Sequence, residues 1–130
     1  NNRLVGAGGD DTLIGGADND RIFAGSGFDR IEGGAGNDEM WGNFNADTFV
    51  FADGHGQDTI GDFDALNALE KIDLSGISAL AGFADYTAFA ASAGAVTSVA
   101  GGVLITTGGG NSILLSGVNI ANLDNGDFIF

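Results

Sequence analysis

The chain has 130 residues, of which 18 are acidic and four are basic, and its formal net charge is −14. This charge argues against nucleic acid as a partner, because phosphates need Lys and Arg, and against anionic membrane surfaces. The absence of cysteine excludes disulfides and thiolate zinc sites. No apolar run is long enough to span a membrane and no N-terminal signal peptide is recognisable, so we expect no membrane span.

From residue 6 to residue 61 the sequence repeats with a period of nine. Units 1 to 5 follow without a break, at 6–14, 15–23, 24–32, 33–41 and 42–50, and unit 6 at 53–61 comes after two extra residues. The eighth position of every unit is apolar, and the sixth is always aspartate: Asp11, Asp20, Asp29, Asp38, Asp47 and Asp58. Residues 2–5 resemble the end of a further unit, with Asn2 in place of aspartate. Such a long in-phase repeat predicts a stack of equivalent structural units.

The spacing of glycine and aspartate within each unit predicts a cation site. Glycines at the first, second and fourth positions allow positive φ, so that several backbone carbonyl oxygens can turn toward one point. The aspartate adds negative charge, and oxygen-only coordination suits Ca²⁺ better than Mg²⁺ or Zn²⁺. Asp18, Asn43 and Asn45 replace glycine and tolerate the left-handed region. We expect Ala7 and Ala24 to be strained there.

These units match the pattern G-G-x-G-x-D-x-U-x, and over residues 2–73 the chain resembles the RTX (repeats-in-toxin) proteins. The resemblance implies an all-β fold, a calcium-stabilised parallel β-roll (β-helix) with a C-terminal cap of short helix plus β-hairpin. The candidate metal ligands are Gly6, Gly8, Gly9, Asp11, Gly15, Gly16, Asp18, Asp20, Ala24, Gly25, Gly27, Asp29, Gly33, Gly34, Gly36, Asp38, Gly42, Asn43, Asn45, Asp47, Gly54, Gly56, Asp58, Asp62 and Asp73.

In a roll of this kind, units n and n+2 stack on the same edge at the strand spacing of about 4.8 Å. The turns of units 1 and 3, 2 and 4, 3 and 5, and 4 and 6 are therefore expected to share one Ca²⁺ each, about four ions in all, with further sites at the ends. Asp38, in the most regular turn, is expected to serve two ions. Sites that use Ala24, Asn43 or Asn2 are expected to be weaker.

Residues 62–130 are predicted to cap the roll of residues 1–61 and to form one continuous structural unit with it. The segments GDF at 61–63 and KIDLS at 71–75 resemble the closing segment of serralysin-type proteases. This resemblance implies a last calcium site at Asp62, completed by Asp64, Glu70 or Asp73. For Asp64 and Glu70, a surface loop position is an equal alternative.

The composition of the cap predicts its elements. Residues 85–94 predict a short helix, with Asp85 as the N-cap and Gly94 after the last turn. Residues 102–107 and 112–118 predict two strands of a hairpin. A last short element is expected at residues 127–130.

The resemblance implies a non-catalytic module that folds on extracellular Ca²⁺ and supports the type I secretion and stability of a larger bacterial protein. Its partners would be the type I secretion apparatus, transiently, and an upstream catalytic or effector domain. The C-terminal residues Asp127, Phe128, Ile129 and Phe130 resemble the secretion signals of such proteins. This route needs no N-terminal signal peptide and leads to an extracellular location.

The sequence also bears on alternative functions. A carbohydrate-binding module, similar to the R-modules of alginate epimerases, would bind polysaccharide. Catalysis is disfavoured, because HExxH and G-x-S-x-G are missing and His55 lies at a non-ligand turn position. A disordered acidic segment would not keep an apolar residue at every eighth position. Phe23 and Trp41 should lie side by side on an outer face, either as a sugar-binding patch or, the favoured interpretation, packed against the cap.

Overall fold

Short strands make up most of the chain. The computed structural model describes all of residues 1–130 and contains twelve strands and one α-helix. In chain order they are β1 Arg3–Gly8, β2 Thr12–Ala17, β3 Arg21–Ser26, β4 Arg30–Ala35, β5 Glu39–Phe44, β6 Thr48–Ala52, β7 Gln57–Ile60, β8 Lys71–Gly76, α1 Tyr86–Ala90, β9 Val96–Val99, β10 Gly102–Gly108, β11 Asn111–Ser116 and β12 Phe128–Ile129. Three 3₁₀ turns lie at Ser78–Leu80, Ile120–Asn122 and Asn125–Asp127.

Alternate strands of the repeat enter two different sheets. The seven-stranded sheet has the order β1-β3-β5-β7-β11-β10-β9, and the five-stranded sheet has the order β12-β8-β6-β4-β2. The repeat strands pair in parallel at a register of 18 residues, which places Leu4 opposite Ile22 and Ile22 opposite Met40. Leu13 likewise lies opposite Ile31. Units n and n+2 are therefore stacked, and the predicted parallel β-roll is confirmed.

The roll has two edges, each formed by alternate turns. The turns of units 1, 3 and 5 lead from the seven-stranded to the five-stranded sheet, and we call them the first edge. The turns of units 2, 4 and 6 lead back and form the second edge. Between the sheets lie the eighth-position side chains, of which Ile22, Ile31, Met40, Phe49 and Ile60 are fully buried. Because side chains alternate along a strand, each strand contributes little more than one residue to this core.

The second half of the chain continues both sheets beyond the roll. Strand β11 pairs in parallel with β7 and forms an antiparallel hairpin with β10, while β12 pairs in parallel with β8. One apolar core runs through both halves. Consequently the C-terminal end of the roll is covered and its strand edges are paired. No helix of the structure has the length and apolar character needed to cross a membrane.

The predicted helix and hairpin are present, with two corrections. Helix α1 begins after Asp85, whose carboxylate accepts a hydrogen bond from the Ala88 N–H, but it ends at Ala90. Gly94, with a φ of 75°, lies in the following turn and not at the helix end. Strand β9, which pairs with β10 through Val96–Val99, was not predicted because it is only four residues long.

Candidate metal sites

The second and fourth positions of every turn have a left-handed backbone. Positive φ occurs at Ala7, Gly9, Gly16, Asp18, Gly25, Gly27, Gly34, Gly36, Asn43, Asn45, Gly54 and Gly56. The four non-glycine residues of this set have φ between 72° and 82°, a region that Asn and Asp tolerate as predicted. The first position does not have positive φ, which corrects the expectation for Ala24. This residue is unstrained, and its methyl group is fully buried in the core.

Glycine at these positions also allows the turns to stack closely. A β-carbon on Gly25 or Gly27 of unit 3 would collide with the carbonyl groups of Ala7 or Gly9 in unit 1. The same collisions recur on the second edge, where Gly34 and Gly36 meet Gly16 and Asp18, and Gly56 meets Gly36. The carbonyl oxygens of one turn therefore point into the gap that separates it from the next turn on the same edge.

In units 2 to 6, the sixth-position aspartate joins two stacked turns through Oδ1. The Asp11 N–H donates to Oδ1 of Asp29, and the Asp20 N–H donates to Oδ1 of Asp38, both at 2.7 Å. Asp47 and Asp58 accept in the same way from the turns two units earlier, at 2.9 and 2.8 Å. These bonds fix the register of the stacked turns.

The second carboxylate oxygen, Oδ2, is buried without a hydrogen-bond donor in Asp11, Asp20, Asp29 and Asp38. A β-carbon on Gly15 would lie 2.6 Å from Oδ2 of Asp20 and 2.5 Å from the carbonyl oxygen of Gly33, so these two oxygens converge on one point. A buried carboxylate without a partner is costly unless it meets a cation. By the repeat, the four atoms belong to the gaps between units 1 and 3, 2 and 4, 3 and 5, and 4 and 6.

The oxygens in these gaps suit Ca²⁺. Between units 2 and 4, the Gly33 carbonyl oxygen lies with Oδ2 of Asp20 at Gly15, and the carbonyl oxygens of Gly16 and Asp18 lie against Gly34 and Gly36. No three His, Cys, Asp or Glu side chains converge in the structure, so a cation here would take most of its ligands from the backbone. Ca²⁺ accepts six to eight carbonyl and carboxylate oxygens in flexible geometry. In Asp38, Oδ2 is unpartnered and Oδ1 accepts from the Asp20 N–H; that this residue serves two ions stays a prediction.

Comparison with known sequences agrees with this geometry. The sequence model of the RTX calcium-binding nonapeptide repeat, in four copies, matches residues 1–31 and 23–60. The chain carries an RTX calcium-binding repeat domain. Calcium is the ion that RTX repeats bind in general, so the metal predicted from the turn chemistry is the one that the family binds.

Comparison with solved structures extends the likeness to the cap. The extracellular lipase LipA from Serratia marcescens matches with a TM-score of 0.69 and 21% sequence identity. The match covers 94% of this chain and 20% of the lipase chain, so the chain spans about one fifth of that protein's length. At this identity the likeness shows the fold alone. The comparison with curated proteins gave no match.

The first edge of the RTX roll ends at Glu70, which takes a sixth position. Lys71 pairs with Thr48, and its N–H donates to the Asp47 carbonyl, so Glu70 is aligned with Asp47. Burial, together with the charges of Asp62 and Asp47, raises the pKa of Glu70 to about 7. Burial and the Asp29 carboxylate raise the pKa of Asp47 to about 6. The sequence signal for this alignment is that Glu-Lys-Ile-Asp at 70–73 matches Asp-Thr-Phe-Val at 47–50, residue by residue.

Two predicted ligands near this end already have protein partners. The carboxylate oxygens of Asp62 accept hydrogen bonds from the N–H groups of Gly42 and Asn43, at 3.0 and 2.8 Å. Asp73 lies on the outer face opposite Val50 and accepts from the N–H and hydroxyl of Ser75. Asp62 therefore holds the turn of unit 5 and has a donor on each carboxylate oxygen. Asp73 faces away from the roll interior, and both of its hydrogen bonds fall on Oδ1.

The second edge ends differently, at His55. Its Nδ1 lies 2.6 Å from Oδ2 of Asp58, and its Nε2 lies 2.7 Å from the Thr107 hydroxyl. Because Oδ1 of Asp58 is bonded to the Asp38 N–H, both oxygens of Asp58 have protein donors; its role as a metal ligand stays a prediction. No sequence signal marks Thr107 as the partner of His55, because the two residues are 52 positions apart.

Phe23 and Trp41 lie side by side on the outer face of the seven-stranded sheet, as predicted. Their rings are parallel within 6°, with centroids 4.6 Å apart. The Arg3 guanidinium covers the Phe23 ring, and the Trp41 indole lies directly against Gly61. Packing against the cap helix is not observed, since Tyr86 of α1 stacks on the C-terminal strand. Both ends of the stack are covered, which leaves no open ring face for a sugar.

Proposed function

We propose that this chain is a calcium-triggered folding module that supports the export and stability of a larger secreted protein. The observation that carries the proposal is the set of four buried aspartate oxygens without donors. Two of them, in Asp11 and Asp20, lie beside a backbone carbonyl of the stacked turn, that of Ala24 or Gly33. Without a cation, each such group costs about 1–3 kcal/mol. With Ca²⁺ the same atoms become ligands, so the ion converts a destabilising feature into a stabilising one.

The charge and core of the roll support a switch of this kind. Residues 1–73 carry 15 of the 18 acidic residues and all four basic ones, so the stacked turns repel one another. The roll core, about one side chain per strand, offsets little of the conformational entropy of ordering the chain. We therefore expect an unfolded roll at submicromolar Ca²⁺. Extracellular modules bind Ca²⁺ with dissociation constants of about 10⁻⁴–10⁻³ M. The module would therefore fold only after export.

The proposed secretion signal bears on the order of events. RTX repeats are typical of secreted bacterial proteins, and we propose the type I route. In the folded cap, Phe128 stacks on Tyr86 at 4.6 Å and Phe130 packs beside Phe89 at 5.7 Å. An exporter could contact these side chains only before the cap folds. In this proposal the module has no catalytic role, and chemistry belongs to an upstream domain.

Circular dichroism of the purified chain tests the folding switch. Excess EGTA should abolish the strand signal of the repeats, and Ca²⁺ should restore it. Mg²⁺ should restore it poorly, because it prefers fewer protein ligands in stricter octahedral geometry. A spectrum that does not change with EGTA would contradict the proposal.

An export assay tests the signal. Ile129→Ser changes a residue that is 41% exposed, so it should reduce secretion and leave the calcium midpoint unchanged. Val99→Ser, at a similarly exposed residue of the cap, is the matched control. Equal secretion of the two variants would remove the tail from the proposal.

A second candidate function is polysaccharide binding, which is supported by one groove on the surface. It encloses about 370 Å³ beside the second edge and has no apolar lining; its residues are Asn1, Asn2, Arg3, Asn19, Asp20, Arg21, Asn37 and Glu39. Amide and guanidinium groups are donors for sugar hydroxyls and carboxylates. Titration of the calcium-loaded chain with oligouronates tests it. Binding that is lost in Arg3→Gln supports this role, and absence of binding removes it.

A further inference from the structure

We propose that His55 and Thr107 form an interlock that positions the last turn of the second edge and couples the calcium site between units 4 and 6 to the cap. The inference rests on the proposed calcium function and goes beyond it, because the repeat pattern assigns no role to either residue. Its basis is a buried chain of hydrogen bonds that runs from the cap to the gap at Asp38.

The interlock begins at the third position of unit 6. Units 1 to 4 have a small residue at this position, whereas unit 6 has His55. His55, Asp58 and Thr107 are each 2–3% exposed. Because a carboxylate only accepts, Nδ1 of His55 donates to Asp58, and in that tautomer Nε2 accepts from the Thr107 hydroxyl. An imidazole thus joins the turn of unit 6 to strand β10.

The surroundings hold the imidazole and the turn in place. The Phe51 ring lies edge-on to the His55 ring, with centroids 5.1 Å apart. Gly56 donates its N–H to the Asn111 side chain at 3.1 Å, and its carbonyl accepts from the Ser112 N–H at 2.9 Å. The cap therefore holds the turn of unit 6 through hydrogen bonds at two residues, at His55 through its side chain and at Gly56 through its backbone.

From this turn the coupling reaches a calcium gap. Oδ1 of Asp58 accepts from the Asp38 N–H at 2.8 Å, while Oδ2 of Asp38 is buried without a donor. A β-carbon on Gly56 would collide with the Gly36 carbonyl, so the turn of unit 6 lies directly against that of unit 4. Asp58 thus connects the two parts: Oδ1 accepts from unit 4, and Oδ2 accepts from His55. The position of unit 6 sets one wall of the gap.

The interlock also explains where the row of ions ends on this edge. In units 2 and 4 the second aspartate oxygen has no protein donor and is available to a cation, whereas in unit 6 the imidazole takes that oxygen. His55 is therefore a positioning residue and not a metal ligand. We expect Asp58→Asn to leave the affinity of every bound ion unchanged and Asp38→Asn to weaken the ion in the gap between units 4 and 6.

Thr107→Val is the perturbation that isolates the interlock, because it removes the hydroxyl and keeps the shape. It should raise the calcium midpoint of folding about twofold, the effect of losing one buried hydrogen bond in a transition that binds about four ions. Thr107→Ser keeps the hydroxyl and should restore the midpoint. Thr106→Val, at the exposed neighbour on the same strand, is the control and should have no effect.

A double-mutant cycle separates positioning from simple loss of cap stability. If Thr107 acts through the gap at Asp38, Thr107→Val should shift the midpoint much less in an Asp38→Asn background, but fully in an Asp11→Asn background on the other edge. Equal shifts in both backgrounds would overturn the inference. Should Thr107→Val fail to fold, His55→Gln is measured in the same backgrounds with the same expectations.

The wild-type titration distinguishes this inference from the proposed function. A chain that folds on Ca²⁺ but shows equal shifts in the two backgrounds has the calcium function without the interlock. A chain whose fold does not respond to Ca²⁺ lacks the function itself, and the interlock is then overturned with it.

Discussion

Replacing Asp38 by asparagine removes one oxygen from one calcium gap. Oδ1 of Asp38 accepts from the Asp20 N–H at 2.7 Å, and the asparagine carbonyl can keep this bond. Oδ2 is the buried oxygen without a donor. In the variant an NH₂ group takes its place. This group is a hydrogen-bond donor and cannot coordinate a cation. The change therefore affects the ion and spares the stacking of the turns.

The size of the effect follows from the number of gaps. A hydrogen bond or ligand contact that involves a charged group contributes about 1.5–3 kcal/mol, which corresponds to about 10- to 100-fold in the affinity of that ion. If about four ions bind in one cooperative folding transition, the midpoint concentration changes by the fourth root of this factor. We expect the calcium midpoint to rise about two- to threefold.

Calcium titration followed by circular dichroism gives the midpoint, and calorimetry gives the number of ions. The matched control is Asp10→Asn, at a fifth position. Oδ1 of Asp10 accepts from the Phe28 N–H at 2.9 Å on the surface, and asparagine keeps that acceptor, so the midpoint should not move. Equal shifts for the two variants, or unchanged affinities for all ions in Asp38→Asn, would refute the assignment of Oδ2 as a ligand.

Three further outcomes are expected. Because the folded state raises the pKa of Glu70 and Asp47, the metal-free chain binds more protons folded than unfolded between about pH 4.5 and 7; its stability should fall as pH rises through this range, whereas calcium affinity should rise. Circular dichroism of the chain freed of Ca²⁺ checks this: the residual strand signal should be larger at pH 5 than at pH 8, and a larger signal at pH 8 would contradict it. Gly34→Ala, at φ 101° against the Gly16 carbonyl, should destabilise the calcium form by more than about 1–2 kcal/mol, whereas Ala7→Gly should not destabilise it; thermal melts in Ca²⁺ that rank the two in reverse would contradict the left-handed assignment. Phe128→Ala should cost about 3–5 kcal/mol in the same melts, because the ring is buried against Tyr86, and a loss below 1 kcal/mol would mean that the tail does not close the core.

The part of the fold that the sequence predicts is the part with local periodicity. A glycine that must adopt positive φ, an inward side chain and a sixth-position aspartate recur every nine residues, so strand positions, the stacking of units n and n+2 and the four gaps all follow. The same regularity misled at the first position. In units 1, 2, 4 and 5 a β-carbon at this position would meet the aspartate carboxylate, as on Gly6, where it would lie 2.7 Å from Oδ2 of Asp11. Ala24 occupies the same position in unit 3 without positive φ, so φ is not the reason for glycine there.

The residues that sequence reasoning missed are those joined by long-range contacts. His55 meets Thr107 across 52 residues, and no local pattern marks either side chain as a partner of the other. Glu70 is a candidate ligand by resemblance, with a surface loop as the alternative, but its alignment with Asp47 follows an irregular loop and is decided by the pairing of Lys71 with Thr48. Asp62 resembles a ligand by type, but its role is decided by the N–H groups of Gly42 and Asn43, which only the folded turn brings near.

The 18-residue register also constrains how the length of such a roll can change. A single nine-residue unit inserted between units 2 and 4 would move Phe23 to the sheet opposite Trp41 and would break the stack between them. Two inserted units would keep both residues on one sheet and separate them by one additional strand, about 4.8 Å. Residues that lie side by side on the outer face can therefore stay on one sheet only if units are inserted in pairs. The internal gaps are equivalent on both edges, so they form after insertion of either one or two units.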